Sequence, residues 1–164
     1  MKDLVYFTIY LKRIFYLIGI YTSSRVFFYY NNIDSFSSSR ILEIIEGIRF
    51  DISALAYINI PLFLLLLLPF NIRGSKHFRK LTNWLFYGVN IPFILLNNID
   101  IEYYRFTQKR STFDFLQLIQ LGSDAKNIIP QYMKDYWPIT LFSIIQIYLL
   151  LKIKSIPTVK LPLR

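Results

Sequence analysis

The sequence predicts an all-α protein, a polytopic membrane bundle of four transmembrane helices with one short helix at the outer face. Hydrophobic residues make up 54% of the 164-residue chain and aromatic residues 18%, more apolar than an average soluble domain. Long apolar runs recur at the length of roughly 20 residues that a helix needs to cross a bilayer. Lys and Arg outnumber Asp and Glu by 19 to 10, which is typical of membrane proteins with basic cytoplasmic loops.

Each predicted helix follows from an apolar stretch. The predicted spans are residues 14–30, 52–70, 81–99 and 132–153. The second span is the strongest, because it holds no charge and contains six leucines in seven consecutive residues. The third is the most polar, and its Asn83, Asn90 and Asn97 recur every seven residues. This spacing places them on one stripe, where they are candidates for hydrogen bonds between helices.

A fifth, shorter helix is predicted over residues 112–121. Ser111 begins a Ser-x-x-Asp capping pattern, and the segment that follows is rich in Phe, Leu and Ile. It is too short to span a bilayer, so we expect it to lie in the outer interface.

The distribution of charge predicts the orientation of the bundle. With the N-terminus inside, eleven bases face the cytoplasm and six face outward, as the positive-inside rule requires. The expectation is therefore a multi-pass membrane protein with a cytoplasmic N-terminus. Residues 1–155 would form the helical domain, and residues 156–164 a basic tail or the start of a further loop. A cleaved signal peptide is the alternative for the first 24 residues, but apolar character resumes at residues 26–30.

Composition excludes several kinds of chemistry. Cysteine is absent and His77 is the single histidine, so thiolate or multi-histidine metal sites and a Cys nucleophile are excluded. The sequence shows no Ser/His/Asp arrangement, glycine-rich phosphate loop or paired carboxylates, so it predicts no catalytic residue and no metal ligand. The bases are spread along the chain and do not form one patch, which argues against nucleic acid as a partner.

A first cluster of charges precedes the second span and is a candidate binding site. Its members are Arg40, Glu43, Glu46, Arg49 and Asp51. Arg49 and Asp51 are candidates for binding a lipid headgroup or a neighbouring helix. The favoured alternative is that the cluster pairs internally at i,i+3 spacing while its terminal charges reach water. Arg25, inside the first span, could pair with Asp51 or Asp100, or extend toward the headgroups.

A second cluster follows the third span. It contains two acids, then three bases and two hydroxyl residues: Asp100, Glu102, Arg105, Lys109, Arg110, Ser111 and Thr112. Two cations beside the N-terminus of a predicted helix form a place that attracts phosphate. The cluster therefore predicts contact with an anionic phospholipid headgroup. Simple anchoring at the outer face, with the acids neutralising the bases, is the equally weighted alternative.

Three motifs occur in order along the chain. They are GIRFDISAL at residues 47–55, NNIDIEYYRFTQKRST at 97–112 and PQYMKDYW at 130–137. Together with the Leu-rich stretch between the first two, they resemble the N-terminal membrane region of bacterial lipoteichoic acid synthase-like proteins, in the sulfatase/alkaline phosphatase superfamily. The resemblance covers nearly the whole chain, and it implies a location in the bacterial cytoplasmic (inner) membrane. It implies a bundle of about five helices of bilayer length, followed by an extracytoplasmic catalytic domain. There, a Thr nucleophile and a divalent metal, typically manganese, transfer phosphoglycerol, phosphoethanolamine or a related group from a phospholipid.

On this resemblance, the chain is expected to be the membrane-anchoring part of such a transferase without its catalytic domain. It would then have no catalytic residue and no cofactor of its own, and Thr107 and Thr112 would not be the family nucleophile. Four spans would return the chain to the cytoplasm, and one further helix would lead to the catalytic domain. The expected partners are that domain and membrane lipids, and no oligomeric state is indicated. The alternative is a stand-alone four-helix membrane scaffold or accessory protein without catalysis.

Overall fold

The computed structural model of the chain is built from α-helices. It describes residues 2–33, 40–68, 75–107, 130–131 and 133–153. Within these ranges lie α1 (Lys2–Asn31), α2 (Arg40–Ile58), α3 (Ile60–Leu66), α4 (Lys76–Thr107) and α5 (Trp137–Lys152). The all-α part of the predicted fold class is therefore confirmed for the described residues.

Two prolines lie where helices begin, one of them directly after an interruption. Pro61 lies in the first turn of α3 and has no N–H to donate to the carbonyl four residues earlier, so a continuous helix is interrupted just before it. At the interruption, the backbone N–H of Asn59 and its side-chain Nδ2 both donate to the Leu55 carbonyl, at 3.0 and 2.9 Å. Pro138 lies in the first turn of α5, where the missing N–H costs little.

The packing places α1 at the centre. It contacts α2, α4 and α5, while α4 also contacts α3 and α5. The main apolar core joins all five helices and contains Tyr10, Leu17, Ile20, Tyr21, Leu55, Leu62, Phe86, Ile94 and Leu150. A second cluster of Phe28, Ile101 and Ile139 lies where α1, α4 and α5 meet.

The four predicted membrane spans are wrong for this structure. Among the described residues, no helix has both the length and the apolar content needed to cross a membrane. The span predicted over residues 52–70 is divided at Asn59 into the end of α2 and the seven-residue α3. The span predicted over residues 132–153 yields α5, whose 16 residues fall short of the roughly 20 that a bilayer requires.

The other two predicted spans, residues 14–30 and 81–99, lie inside longer helices of 30 and 32 residues. Both helices carry buried polar side chains, among them Arg13, Ser24 and Asn98, which lower the apolar content of any stretch of bilayer length. The predicted multi-pass bundle in the bacterial inner membrane, with a cytoplasmic N-terminus, is overturned by the same finding. The predicted helix over 112–121 and the tail at 156–164 lie outside the described residues.

Candidate functional site

Polar side chains occupy much of the helix interfaces. The buried polar and charged residues in the described ranges are Arg13, Ser24, Asn32, Asp51, Asn59, Thr82, Asn90, Asn98, Glu102, Ser143 and Gln146. A buried polar group is costly unless it finds a partner. Asn32 and Thr82 bond to carbonyls of their own helices, whereas several of the others bond between helices.

Two asparagines of α4 bind α1 and the α2–α3 junction. Arg13 Nη2 donates to Asn83 Oδ1 at 2.6 Å, and the guanidinium carbon lies 4.5 Å from the centre of the Phe86 ring. Burial lowers the pKa of Arg13 below its ordinary value. Asn90 and Asn59 exchange two hydrogen bonds, at 3.0 and 3.2 Å. The predicted role of the α4 asparagines between helices is confirmed at Asn83 and Asn90.

The third asparagine that joins helices is Asn98, not Asn97. Asn98 Nδ2 donates to Gln146 Oε1 at 2.7 Å and to Ser143 Oγ at 2.9 Å, both on α5. Its Oδ1 accepts a hydrogen bond of 3.0 Å from Ser24 Oγ on α1. Asn97 is half-buried and lies one residue earlier, about 100° around the helix. The seven-residue repeat therefore predicts Asn97, whereas the side chain that faces α5 is that of Asn98, one position later.

Gln146 completes this network from the α5 side. Its Nε2 donates to the hydroxyls of Ser23 and Ser24, both at 2.9 Å, and to the Ile20 carbonyl at 3.1 Å. We define the Asn98 network as Ser23, Ser24, Asn98, Ser143 and Gln146. Ser143 and Gln146 are not among the residues predicted from the sequence, although a polar pair three residues apart in an apolar segment is a recognisable signal.

An ion pair joins α1 to α2. Arg25 Nη2 contacts Asp51 Oδ1 at 2.5 Å and Arg25 Nε donates to Asp51 Oδ2 at 3.0 Å, with both side chains only 12% exposed. Gly47 lies close to this pair, because a Cβ at that position would collide with the Arg25 guanidinium, which would then have to shift. Of the alternatives considered for Arg25, pairing with Asp51 is confirmed.

A small cleft lies beside this ion pair, between α1, α2 and α4. It is lined by Tyr21, Ser24, Arg25, Phe28, Asp51, Asn97, Asp100 and Ile101, and its free volume is about 10 Å³. The Tyr21 hydroxyl is buried and has no hydrogen-bond partner in the structure. Burial raises the pKa of Tyr21, and the charge of Asp51 raises it further.

The predicted site residues are brought together only in part. Asp51 and Asp100, from different clusters, line the same cleft. Arg49 is exposed and its guanidinium carbon lies 4.9 Å from the centre of the Phe50 ring. Glu102 is buried, and its Oε1 accepts a hydrogen bond of 2.9 Å from Asn31 Nδ2.

Arg105, at the end of α4, is exposed. Lys109, Arg110, Ser111 and Thr112 lie outside the described residues, so the predicted headgroup site is not described. No three His, Cys, Asp or Glu side chains of the described ranges lie together as metal ligands.

The outer surface carries large apolar side chains. Tyr57 is 75% exposed and Trp84 is 68% exposed. Scattered exposed hydrophobic residues are normal on a protein surface. Here they lie outside an interior in which Arg13, Asp51 and Asn98 are buried, so polar groups share the helix interfaces with the apolar core.

The fold and these contacts define a helical bundle whose described helices are joined by hydrogen bonds and an ion pair between polar side chains. Comparison with protein-family models, with curated proteins and with solved structures finds no match for this chain.

Proposed function

We propose that the chain is a non-catalytic helical module that works by contact with other molecules. Its role would be that of the helical N-terminal region of a lipoteichoic acid synthase-like phosphotransferase. The observation that carries the proposal is the use of the polar residues. In the described part of the chain, several buried polar side chains join helices while large apolar side chains are exposed.

The motifs behind the resemblance support this role. Gly47 and Asp51 belong to the first motif, and they form the contact with Arg25. Asn98 belongs to the second motif and joins three helices. Residues of two of the three motifs therefore act in helix packing. This favours a shared helical arrangement over catalysis as the reason for the motif pattern.

The outward apolar side chains support an apolar partner. Burying such surface against another protein is favourable by roughly 25 cal/mol per Å², and aromatic residues such as Tyr57 and Trp84 are frequent anchors in interfaces. The resemblance implies that the partner is a sulfatase-type catalytic domain, which would supply the Thr nucleophile and the divalent metal, typically manganese.

Site-specific cross-linking tests the proposal. Because the chain has no natural cysteine, Tyr57→Cys or Trp84→Cys can carry a single photo-cross-linker. We expect both positions to cross-link to one protein with a sulfatase-type phosphotransferase domain. Glu46→Cys, an exposed charged position on α2, is the control and should give a much weaker product.

Three outcomes would contradict the proposal. Transferase or hydrolase activity of the purified chain with Mn²⁺ would show that it is an enzyme itself. Equal cross-linking from position 46 would show that the partner does not bind through the exposed apolar side chains. A specific partner without a phosphotransferase domain would favour the alternative, an accessory scaffold without catalysis.

Contact with anionic lipid headgroups at Lys109 and Arg110 stays a prediction. Each base near an anionic lipid surface contributes about 1 kcal/mol, so Lys109→Gln with Arg110→Gln should weaken binding to phosphatidylglycerol vesicles by about thirtyfold. The measurement is co-sedimentation, with Arg79→Gln and Lys80→Gln as the matched control pair and phosphatidylcholine vesicles as the neutral surface. Equal losses for the two pairs would contradict a headgroup site at Lys109 and Arg110.

A further inference from the structure

The outward side of α5 is apolar along its whole length. The helix contains one charged residue, Lys152. Its inward side packs against α1 and α4 through its buried residues, which are Ile139, Ser143, Gln146 and Leu150. A helix that is apolar on all sides is normally buried on all sides. In the described part of the chain, however, no helix covers the outward side of α5.

The exposed side chains on that side follow the spacing of a helix-pairing surface. Five of them lie alternately four and three residues apart, which is the repeat through which two helices pair along one seam. Each of the five is between 50% and 63% exposed. We define the α5 seam as Trp137, Leu141, Ile144, Tyr148 and Leu151.

The exposed area is large enough for a stable dimer. Together with the neighbouring Ile145 and Leu149, the α5 seam exposes roughly 800 Å², about what each partner of a standard-size complex buries. The largest apolar patch on a typical monomer is about 300–600 Å². An open groove of about 560 Å³ between Phe142 and the α1 residues Gly19 and Val26 extends this surface sideways.

The charges at the two ends of the seam fit a second copy in antiparallel orientation. The Lys152 ammonium lies 5.1 Å from the centre of the Tyr148 ring, so the one charge of α5 borders the seam. A parallel pair would place two copies of Lys152 side by side. An antiparallel pair places Lys152 opposite the start of the other α5, where Asp135 is exposed beside Lys134. It also brings opposite ends of the two helix dipoles together.

We propose that the chain forms a two-fold symmetric dimer through the α5 seam, with the two α5 helices antiparallel. In a two-fold contact, the same surface patch serves both copies. The spacing of the seam then pairs Trp137 with Tyr148 of the second copy, and Leu141 with Ile144 of the second copy. Neither position used to test the proposed function lies on α5, so the dimer does not depend on that function.

Sedimentation equilibrium in detergent-free buffer tests the dimer. We expect the unmodified chain to sediment with twice the mass of one chain. Ile144→Glu should raise the Kd of the dimer at least about a hundredfold, because each dimer would bury two unpaired carboxylates. Ile45→Glu is the matched control, because it makes the same change on α2 at nearly the same exposure, 58% against 56% for Ile144. It should leave the dimer intact.

Disulfide formation tests the orientation of the two helices. The chain has no natural cysteine, so Trp137→Cys and Tyr148→Cys each introduce a single thiol. When the two variants are mixed and oxidised, we expect the mixed 137–148 disulfide to predominate. In the antiparallel pair, the two copies of position 137 lie about 16 Å apart along the helix axis, too far for a disulfide.

Three outcomes would overturn the proposal. An unmodified chain that sediments as a monomer excludes the dimer, whether the α5 seam then binds a lipid vesicle or another protein. Equal dissociation by Ile45→Glu places the contact elsewhere. A predominant 137–137 disulfide excludes the antiparallel pair. Circular dichroism shows whether Ile144→Glu keeps its helices, and if it does not, the unmodified chain and the disulfide pattern decide.

Discussion

Replacing Asn98 by Ala is expected to lower the free energy of unfolding by about 3 kcal/mol. The substitution removes three buried hydrogen bonds, to Ser24, Ser143 and Gln146. Gln146 Oε1 then remains buried without the donor that it now has. Each buried polar group left unsatisfied costs about 1–3 kcal/mol, and the space left by the amide adds a cavity cost.

Asn97→Ala is the matched control for this prediction. It makes the same chemical change one residue earlier on α4, at a half-buried position outside the Asn98 network. We expect its loss to stay below about 1 kcal/mol, as for most substitutions away from buried networks. Urea unfolding followed by circular dichroism measures both values. Similar losses for the two variants would show that the Asn98 network does not hold α1, α4 and α5 together.

The contrast between Asn97 and Asn98 shows how much of the interior the sequence could predict. A seven-residue repeat of asparagines identified the interhelical face at Asn83 and Asn90. The repeat does not show whether Asn97 or Asn98 faces another helix in the later part of α4. The choice of Asn98 depends on the position of α5, whose Ser143 and Gln146 are 45 and 48 residues away.

The membrane prediction failed for a related reason. A count of apolar residues in a sequence window does not show where a helix ends. The Leu-rich stretch looked like one span, but Pro61 and the side-chain hydrogen bond of Asn59 divide it. Window counts also do not show that Arg13, at the edge of the first predicted span, is buried against Asn83 and Phe86.

The Arg25–Asp51 pair was predictable as one of several options, because two opposite charges sat near apolar stretches. The sequence could not select Asp51 over Asp100, since both were open as partners of Arg25. The structure makes the selection through Gly47, which lets α2 approach the guanidinium closely. A glycine four residues before an aspartate does not by itself predict that Asp51 is the partner of Arg25.

Asp51→Ala is expected to lower the free energy of unfolding by about 3 kcal/mol, because it leaves the Arg25 guanidinium mostly buried without its carboxylate. Removing one member of a buried ion pair costs more than removing both. The double variant Arg25→Met with Asp51→Leu should therefore recover most of the loss. Urea unfolding of Arg25→Met, Asp51→Leu, the double variant and the unmodified chain gives the coupling energy.

Two glycine variants test the same contact through shape, not charge. Gly47→Ala places a Cβ against Arg25, and we expect it to destabilise the chain by about 1–3 kcal/mol, as overpacking does. Gly88→Ala is the control, because a Cβ there meets no atom within 4 Å. It should stabilise α4 by about 0.5–1 kcal/mol, the usual gain of Ala over Gly inside a helix.

In the Arg25→Met, Asp51→Leu background, the Gly47→Ala substitution should cost much less stability, because the flexible Met side chain can move aside. If Gly47→Ala stabilises the unmodified chain as Gly88→Ala does, α1 and α2 do not approach each other through Arg25, and the ion pair is not the contact that joins them.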